Sequence, residues 1–371
     1  MNSDEQLEIF LTAVPGLEPS LLKEVREKGF KDPEASPGGI TIRGNWLDVW
    51  RANLSLRGAS RVLVRLGTFR ALHLAQLDKK AHKFPWGETL RPGVPVKVDV
   101  TAKKSRIYHS KAAAERIERA LTETFGATIS ETAEVVIKVR IFDDNVTISV
   151  DTSGESLHKR GHKEAVNKAP MRETLAALLL RECAYLGRET VVDPMCGSGT
   201  FILEAADIAA GLMPGRSRSF AFEQLATFDP EGWKELRAQD VGTMPDHRFY
   251  GFDRDAGAVK MSVANAERAG TSDLTQFQAQ PISDLKAPEG KPGLVIINPP
   301  YGIRIGDEKS LLPLYQTLGK ALSAGFKGWR IGLVTNSHML AKATGLPFNR
   351  RITSFSHGGI TVKLYKTIQL K

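Results

Sequence analysis

The sequence predicts an α/β protein: a doubly wound sheet in the C-terminal half, preceded by a smaller α+β region. Three observations predict this. Short apolar runs rich in Val and Ile, such as Val191-Val192 and Leu294-Val295-Ile296-Ile297, read as parallel strands buried on both faces. These runs end in Asp193 and Asn298, polar residues that would collect at the carboxyl edge of one sheet. The N-terminal half instead alternates short strands with helical stretches, and 371 residues is long for one typical domain.

In chain order, Glu8 to Ala13 reads as a strand, and Gly16-Leu17-Glu18 opens a helix to about Lys28. A strand at Gly39 to Ile42 and a helix near Trp46 to Leu54 follow. Arg61 to Leu66 is the next strand and Ala71 to Lys80 the next helix. Val96 to Val100 alternates as a strand should, and Ser110 begins a helix. Val135 to Ile141 and Asn145 to Val150 form a hairpin around Asp143-Asp144. Residues 151–163 are rich in Ser, Gly and basic residues and read as a linker. In the C-terminal half, strands at Val191-Val192, Phe249 to Phe252, Leu294 to Ile297 and Ile331 to Thr335 alternate with helical stretches, among them Phe201 to Ala206 and Leu311 to Ala324. Ile352 to Phe355 and Thr361 to Ile368 pair around His357-Gly358-Gly359.

The formal charge of +9 favours a polyanionic partner. It is unevenly spread. Residues 51–111 hold fourteen Lys and Arg against three Asp and Glu, whereas residues 1–50 hold five against nine. Arg57, Arg61, Arg65 and Arg70 recur at roughly helical intervals, and Lys103, Lys104, Arg106 and Lys111 cluster around Tyr108. Such runs are usually solvated faces, but this excess exceeds what solubility needs and points to nucleic acid. Two cysteines make neither a disulfide framework nor a zinc site, and His338 and His357 have no partners at metal-ligand spacing, so no metal is expected. No apolar run is long enough to span a bilayer, and the acidic start is unlike a signal peptide, so a cytoplasmic protein is expected.

Three motifs carry the chemistry. Asp193-Pro194-Met195-Cys196-Gly197-Ser198-Gly199-Thr200 joins a strand to a helix through glycines that let a ligand approach the backbone. No Lys follows Gly199, so this is not a phosphate-cradling Walker loop. Phe249-Tyr250-Gly251-Phe252-Asp253 is a second strand ending in an acid, suited to ribose hydroxyls. Asn298-Pro299-Pro300-Tyr301 is a stiff corner, because two prolines fix φ and cannot donate to the sheet. The Asn298 side-chain oxygen and Pro299 carbonyl can accept from an NH2 group while Tyr301 stacks on the ring that bears it. A Gly-x-Gly alone is weak and a Pro-Pro pair is often a plain turn. Their spacing with the Asp253 strand makes the combination specific.

Residues 165–371 resemble the S-adenosylmethionine-dependent methyltransferases that modify exocyclic amines of nucleobases, a Rossmann-like class I fold with a terminal antiparallel hairpin. The resemblance implies that Asp193, Met195, Cys196, Gly197, Gly199 and Thr200 hold the methionine moiety and Asp253 the ribose. It also implies that Asn298, Pro299, Pro300 and Tyr301 hold the target base. Carbon-methylating enzymes use a cysteine nucleophile, but Cys196 lies within the cofactor loop and reads as packing. The opening Thr12 to Glu18 and the segment from Lys104-Ser105-Arg106 to Ile117 resemble a THUMP domain preceded by a ferredoxin-like domain, which implies binding of structured RNA. The expected division is therefore 1–56 ferredoxin-like, 57–153 THUMP, 154–168 linker and 169–371 methyltransferase.

With Ala169-Pro170-Met171-Arg172-Glu173-Thr174, the 151–163 stretch resembles the bacterial THUMP-containing guanine-N2 methyltransferases of large-subunit ribosomal RNA, where the residues around Pro170 to Thr174 lie beside the cofactor. Two departures stand out. A Tyr is usual at His162, which by itself reads as a surface residue. The acid usual beside the cofactor adenine is missing, leaving Gln280 or Asp284 as the contact. Lys103, Lys104, Arg106, Lys111 and Arg304 are the expected RNA contacts. The expected enzyme is a monomer acting on ribosomal RNA. A tRNA methyltransferase, a DNA adenine-N6 methyltransferase and a non-catalytic RNA-binding factor are the alternatives.

Overall fold

The computed structural model describes residues 6–163, 171–239, 242–301 and 308–371. The first stretch holds β1 (Leu7–Thr12), α1 (Glu18–Glu27), β2 (Glu34–Ser36), β3 (Gly39–Gly44), α2 (Trp46–Ser55), β4 (Arg61–Arg70) and α3 (Leu74–Ala81). It continues through β5 (Val96–Lys103), α4 (Ser110–Phe125), β6 (Val135–Phe142) and β7 (Asn145–Asp151). There follow α5 (Glu173–Glu182), β8 (Val191–Asp193), α6 (Thr200–Ala209), α7 (Pro230–Ala238), β9 (Phe249–Asp253), α8 (Ala256–Ala269) and β10 (Thr275–Ala279). The chain closes with β11 (Leu294–Ile297), α9 (Leu312–Gly325), β12 (Arg330–Thr335), α10 (His338–Ala343), β13 (Thr353–His357) and β14 (Ile360–Lys366).

The chain forms two compact units. One comprises residues up to 13, 22–157 and 218–239; the other comprises 14–21, 158–217 and 240–371. The first is built on a seven-stranded sheet in the order β2-β3-β1-β4-β7-β6-β5. β4 is the joint of this sheet, pairing antiparallel with β1 on one side and β7 on the other. It runs on to Arg70, past the Leu66 that alternation suggests, because a bulge between Arg65 and Gly67 restores the register against β7. α3 accordingly begins at Leu74, not Ala71. Asp143 and Asp144 turn the β6–β7 hairpin with φ of 50° and 60°, a left-handed pair that aspartate tolerates. Residues 218–239 add an aromatic cluster in which Phe222 stacks on Trp50 at 6.0 Å and meets Trp233 edge-on at 5.0 Å.

The second unit is built on a seven-stranded sheet in the order β10-β9-β8-β11-β12-β14-β13. β8, β9, β10, β11 and β12 are parallel, and β14 enters antiparallel between β12 and β13. β8 and β11 are neighbours, and successive strands lead away from them in opposite directions. The crevice of a doubly wound sheet opens at that reversal, outside the carboxyl ends of these two strands. This is the mixed sheet of a class I methyltransferase fold. Beneath the reversal lies an apolar cluster containing Val192, Phe252, Val295, Ile297, Tyr315 and Leu333, all under 9 % exposed. Among the described residues no helix is long and apolar enough to cross a membrane, and no group of three or more His, Cys, Asp or Glu could hold a metal ion.

Candidate active site

Ile297 is fully buried, so β11 delivers Asn298-Pro299-Pro300 at a fixed height above the core. The Tyr315 hydroxyl, from α9, donates to the Pro300 carbonyl at 3.1 Å and pins the corner from below. The Asn298 side-chain oxygen is buried without a hydrogen-bond partner among the described residues. A buried amide oxygen left unpaired costs about 1–3 kcal/mol, and such an acceptor at a strand end suits a ligand N–H. Tyr301 is half-buried against the same apolar cluster, and burial pushes its phenol up to about 12, so the ring stays neutral.

Met195, on the loop after β8, and Tyr301 both pack on this cluster, and because β8 and β11 are adjacent parallel strands the glycine loop and the proline corner leave the same edge of the sheet. Gly197 and Gly199 have φ of 55° and 83°, left-handed values that explain glycine at both positions. α8 holds this loop from behind: the Ser262 hydroxyl donates to the Gly197 carbonyl at 2.9 Å and the Asn265 amide to the Ser198 carbonyl at 3.1 Å. Neither residue is marked by any motif, because the contact joins positions more than sixty apart in the chain. Asp253 ties the two strand ends, one oxygen accepting from Gly197 N at 3.0 Å and the other from Asp255 N at 3.0 Å. Each carboxylate oxygen keeps a lone pair for a ligand hydroxyl.

Asp193 is 2 % exposed, and its oxygen accepts from Met195 N at 3.0 Å. Burial pushes its carboxyl up to about 8, with Asp253 adding repulsion. A buried acid facing another acid is a site for a cation, and a ligand carrying an ammonium or a sulfonium meets that need. The residues therefore fit S-adenosylmethionine. Cys196 is 6 % exposed, its sulfur 3.8 Å from the Ser262 hydroxyl, and burial raises its thiol well above the ordinary value. It is a packed thiol, unlike an activated nucleophile.

Thr174 and Thr200 are buried in the first turns of α5 and α6. Lys163, which sequence reasoning passed over, joins these helix starts. Its ammonium donates to Thr200 Oγ1 at 2.8 Å and the Met171 carbonyl at 3.1 Å, and lies 3.0 Å from Glu173. Gln280 follows β10 directly, its backbone N–H donating to the Asp253 carbonyl at 2.9 Å. Asp284 is exposed in a 3-10 turn and accepts from the Ser283 hydroxyl at 3.0 Å. His162 is 4 % exposed, not on the surface; its carbonyl accepts from Arg268 Nε at 2.8 Å, and burial holds its imidazole below the ordinary value. The polar 154–163 stretch also buries Leu157 and Arg160, whose guanidinium meets Glu204 at 2.9 Å. Arg304 lies outside the described residues.

In the other unit, Lys103, Lys104, Arg106 and Lys111 are exposed where β5 passes into α4. The upstream arginine run is used differently. Arg57 is buried, Arg61 pairs with Asp151, and Arg65 pairs with Glu8 over the Phe10 ring. Those cations serve the sheet, because Arg61 and Arg65 fall on β4 and Arg57 on the turn before it. Arg70, at the far end of β4, instead lines a cavity of about 490 Å³ with Leu72, Gln76, Lys79, Lys80 and Lys83.

Comparison with known proteins identifies the domains and the family. Residues 160–363 match the RMKL-like methyltransferase domain, 8–63 the RlmL ferredoxin-like domain and 73–151 the THUMP domain. The chain is 32 % identical, over 96 % of its length, to a ribosomal RNA large subunit methyltransferase K/L of Methylococcus capsulatus, and spans 50 % of that relative. The chain spans about half the length of several such K/L relatives. A provisionally named RNA methyltransferase of Synechocystis sp. is 30 % identical over 96 % of this chain and 95 % of its own. A provisionally named methyltransferase solved in complex with SAH superposes with a TM-score of 0.88, at 27 % identity over 99 % of both chains. The chain therefore belongs to the RMKL-like methyltransferase family, with RlmL-type ferredoxin-like and THUMP domains ahead of an S-adenosylmethionine-dependent catalytic domain.

Proposed function

We propose that the protein methylates the exocyclic N2 of a guanosine in large-subunit ribosomal RNA. The observation that carries the reading is the buried Asn298 oxygen, without a partner among the described residues, at the carboxyl end of β11, the strand next to the β8 that leads into the glycine loop. S-adenosylmethionine, when bound, supplies an electrophilic methyl group on a sulfonium. The protein's work is orientation. An aromatic amine is a poor nucleophile because its lone pair is delocalised into the ring. The Asn298 oxygen and Pro299 carbonyl accept its two hydrogens and favour a pyramidal nitrogen whose lone pair projects out of the ring plane. Tyr301 covers the ring face, and Tyr315 keeps the corner from yielding. No strong base is needed, since the product nitrogen becomes acidic only after transfer.

Asp193 receives the cationic methionine end, Asp253 the ribose, and Gln280 or Asp284 the adenine. The proline corner accepts any amino-bearing base, so the choice of guanine rests on the sequence resemblance alone; the choice of ribosomal RNA rests on the names of the K/L relatives, and that of RNA over DNA also on the THUMP domain. Deletion of the gene, followed by mass-spectrometric nucleoside mapping of ribosomal and transfer RNA, tests the assignment. Loss of one N2-methylguanosine from the large-subunit RNA is expected. Loss from tRNA instead, or an unchanged RNA map with lost methyladenine in DNA, would replace it.

A further inference from the structure

Tyr108 is 70 % exposed, the highest value for a large hydrophobic side chain among the described residues. A lone exposed aromatic is ordinarily unremarkable on a protein surface. This one stands on a fixed backbone. Ile107 beside it is 4 % exposed and anchors the loop in the core. The Asp144 carboxylate accepts from Arg106 N at 2.9 Å, and Asp144 N donates to the Ser105 hydroxyl at 3.1 Å. His109 lies 4.1 Å from the tyrosine ring, so two aromatic surfaces stand side by side at the start of α4.

The same aspartate joins this loop to the basic cavity. Ala71 N donates to the Asp144 carbonyl at 2.9 Å. Asp144 Oδ2 lies 3.7 Å from Arg106 Nε and 4.0 Å from Arg70 Nη2. Arg70 is the first of the cavity's lining residues, which include Lys79, Lys80 and Lys83. Lys80 is held against the wall, donating to the Arg70 carbonyl at 2.9 Å. Lys79 and Lys83 have no ion-pair partner among the described residues, so their charge is available to a ligand.

We propose that Tyr108 and this cavity form one binding site for single-stranded RNA, with an unpaired base stacked on Tyr108 and adjoining backbone phosphates drawn into the cavity. A rigid aromatic beside a groove lined by exposed cations is the arrangement that binds single strands with little sequence preference. A duplex offers phosphates but keeps its bases stacked inside, so it can use the cavity without the tyrosine. The proposal rests on the RNA-substrate reading and assigns the feature of RNA that this unit recognises.

Fluorescence anisotropy on the full chain, with a short single-stranded oligoribonucleotide and the same sequence in a blunt duplex, tests it. Tyr108→Ala is expected to weaken single-strand binding roughly tenfold, with the salt dependence unchanged and duplex binding unaffected. Tyr108→Phe should restore it. Lys79→Ala with Lys83→Ala should flatten the slope of log affinity against log salt by about 0.7 for each phosphate no longer neutralised. Parental affinity in Tyr108→Ala, equal losses on both RNAs, or an unchanged slope in the lysine variant would each overturn the proposal while leaving the methyltransferase reading in place. A parent protein that binds neither RNA would defeat both. All three side chains are exposed, so their replacement leaves the core intact.

Discussion

At the scale of single residues, two side chains are poised for a ligand. Asn298 holds a buried oxygen with no hydrogen-bond partner among the described residues, an acceptor suited to a substrate N–H. Asn298→Ala is therefore expected to lower single-turnover methyl transfer roughly a hundredfold while cofactor affinity by calorimetry stays near parental. Near-normal transfer would defeat the orienting role. Asp193 gives a prediction in pH. In the folded protein its carboxyl keeps its proton up to about pH 8, whereas the ordinary value is 3.8. Between these values the folded state holds one more proton than the unfolded state, so ligand-free stability falls as pH rises across that window. Asp193→Asn cannot ionise and should flatten that decline in urea unfolding at a series of pH values. A slope identical to the parent's would place the ionisation elsewhere.

At the scale of elements, the glycine loop keeps its shape because neighbouring segments hold it: α8 through Ser262 and Asn265, and the 158–163 segment through Lys163. The Lys163 and Glu173 side chains are 5 % and 8 % exposed, so removing one strands the other in a low-dielectric site. Lys163→Met is expected to cost about 3–5 kcal/mol of stability, and adding Glu173→Gln should recover much of it. Burial already raises the Glu173 carboxyl. Its protonation at lower pH relieves the stranded charge, so the Lys163→Met deficit should shrink as pH falls. Denaturant titrations of both variants at two pH values would show this, and equal losses in single and double variant would argue against the pair.

At the scale of the whole molecule, residues 218–239 lie between methyltransferase elements in the chain yet complete the other unit. Phe222 N donates to the Thr152 carbonyl at 3.0 Å, and Arg218 donates to the carbonyls of Ser153, Glu155 and Ser156 at 2.7 to 3.0 Å. A fragment ending at residue 157 would lack Phe222, Phe228 and Trp233, which cover or adjoin Trp50, itself 1 % exposed in the intact protein. It should bind a hydrophobic dye and melt less cooperatively than the same fragment supplemented with a 218–239 peptide. Identical melts would show that the unit does not need the insertion.

Strand and helix order, the ligand-facing strand ends and the paired glycine and proline motifs are legible in the sequence, because period, turn chemistry and motif spacing are local properties. The charge excess of residues 51–111 is also legible, though its use is not: Arg61 and Arg65 are spent on ion pairs across the sheet, while Arg70 opens onto a cavity. Composition marks 151–163 as a linker, yet Arg160 and His162 are buried, because a polar side chain can enter a core once a distant partner such as Glu204 neutralises it. The sequence by itself determined the order of the elements and the motifs proposed to meet a cofactor and a base. Only the tertiary structure decided which cations are spent on ion pairs, which acid stays protonated and which segment completes which unit, since each depends on contacts between residues far apart in the chain.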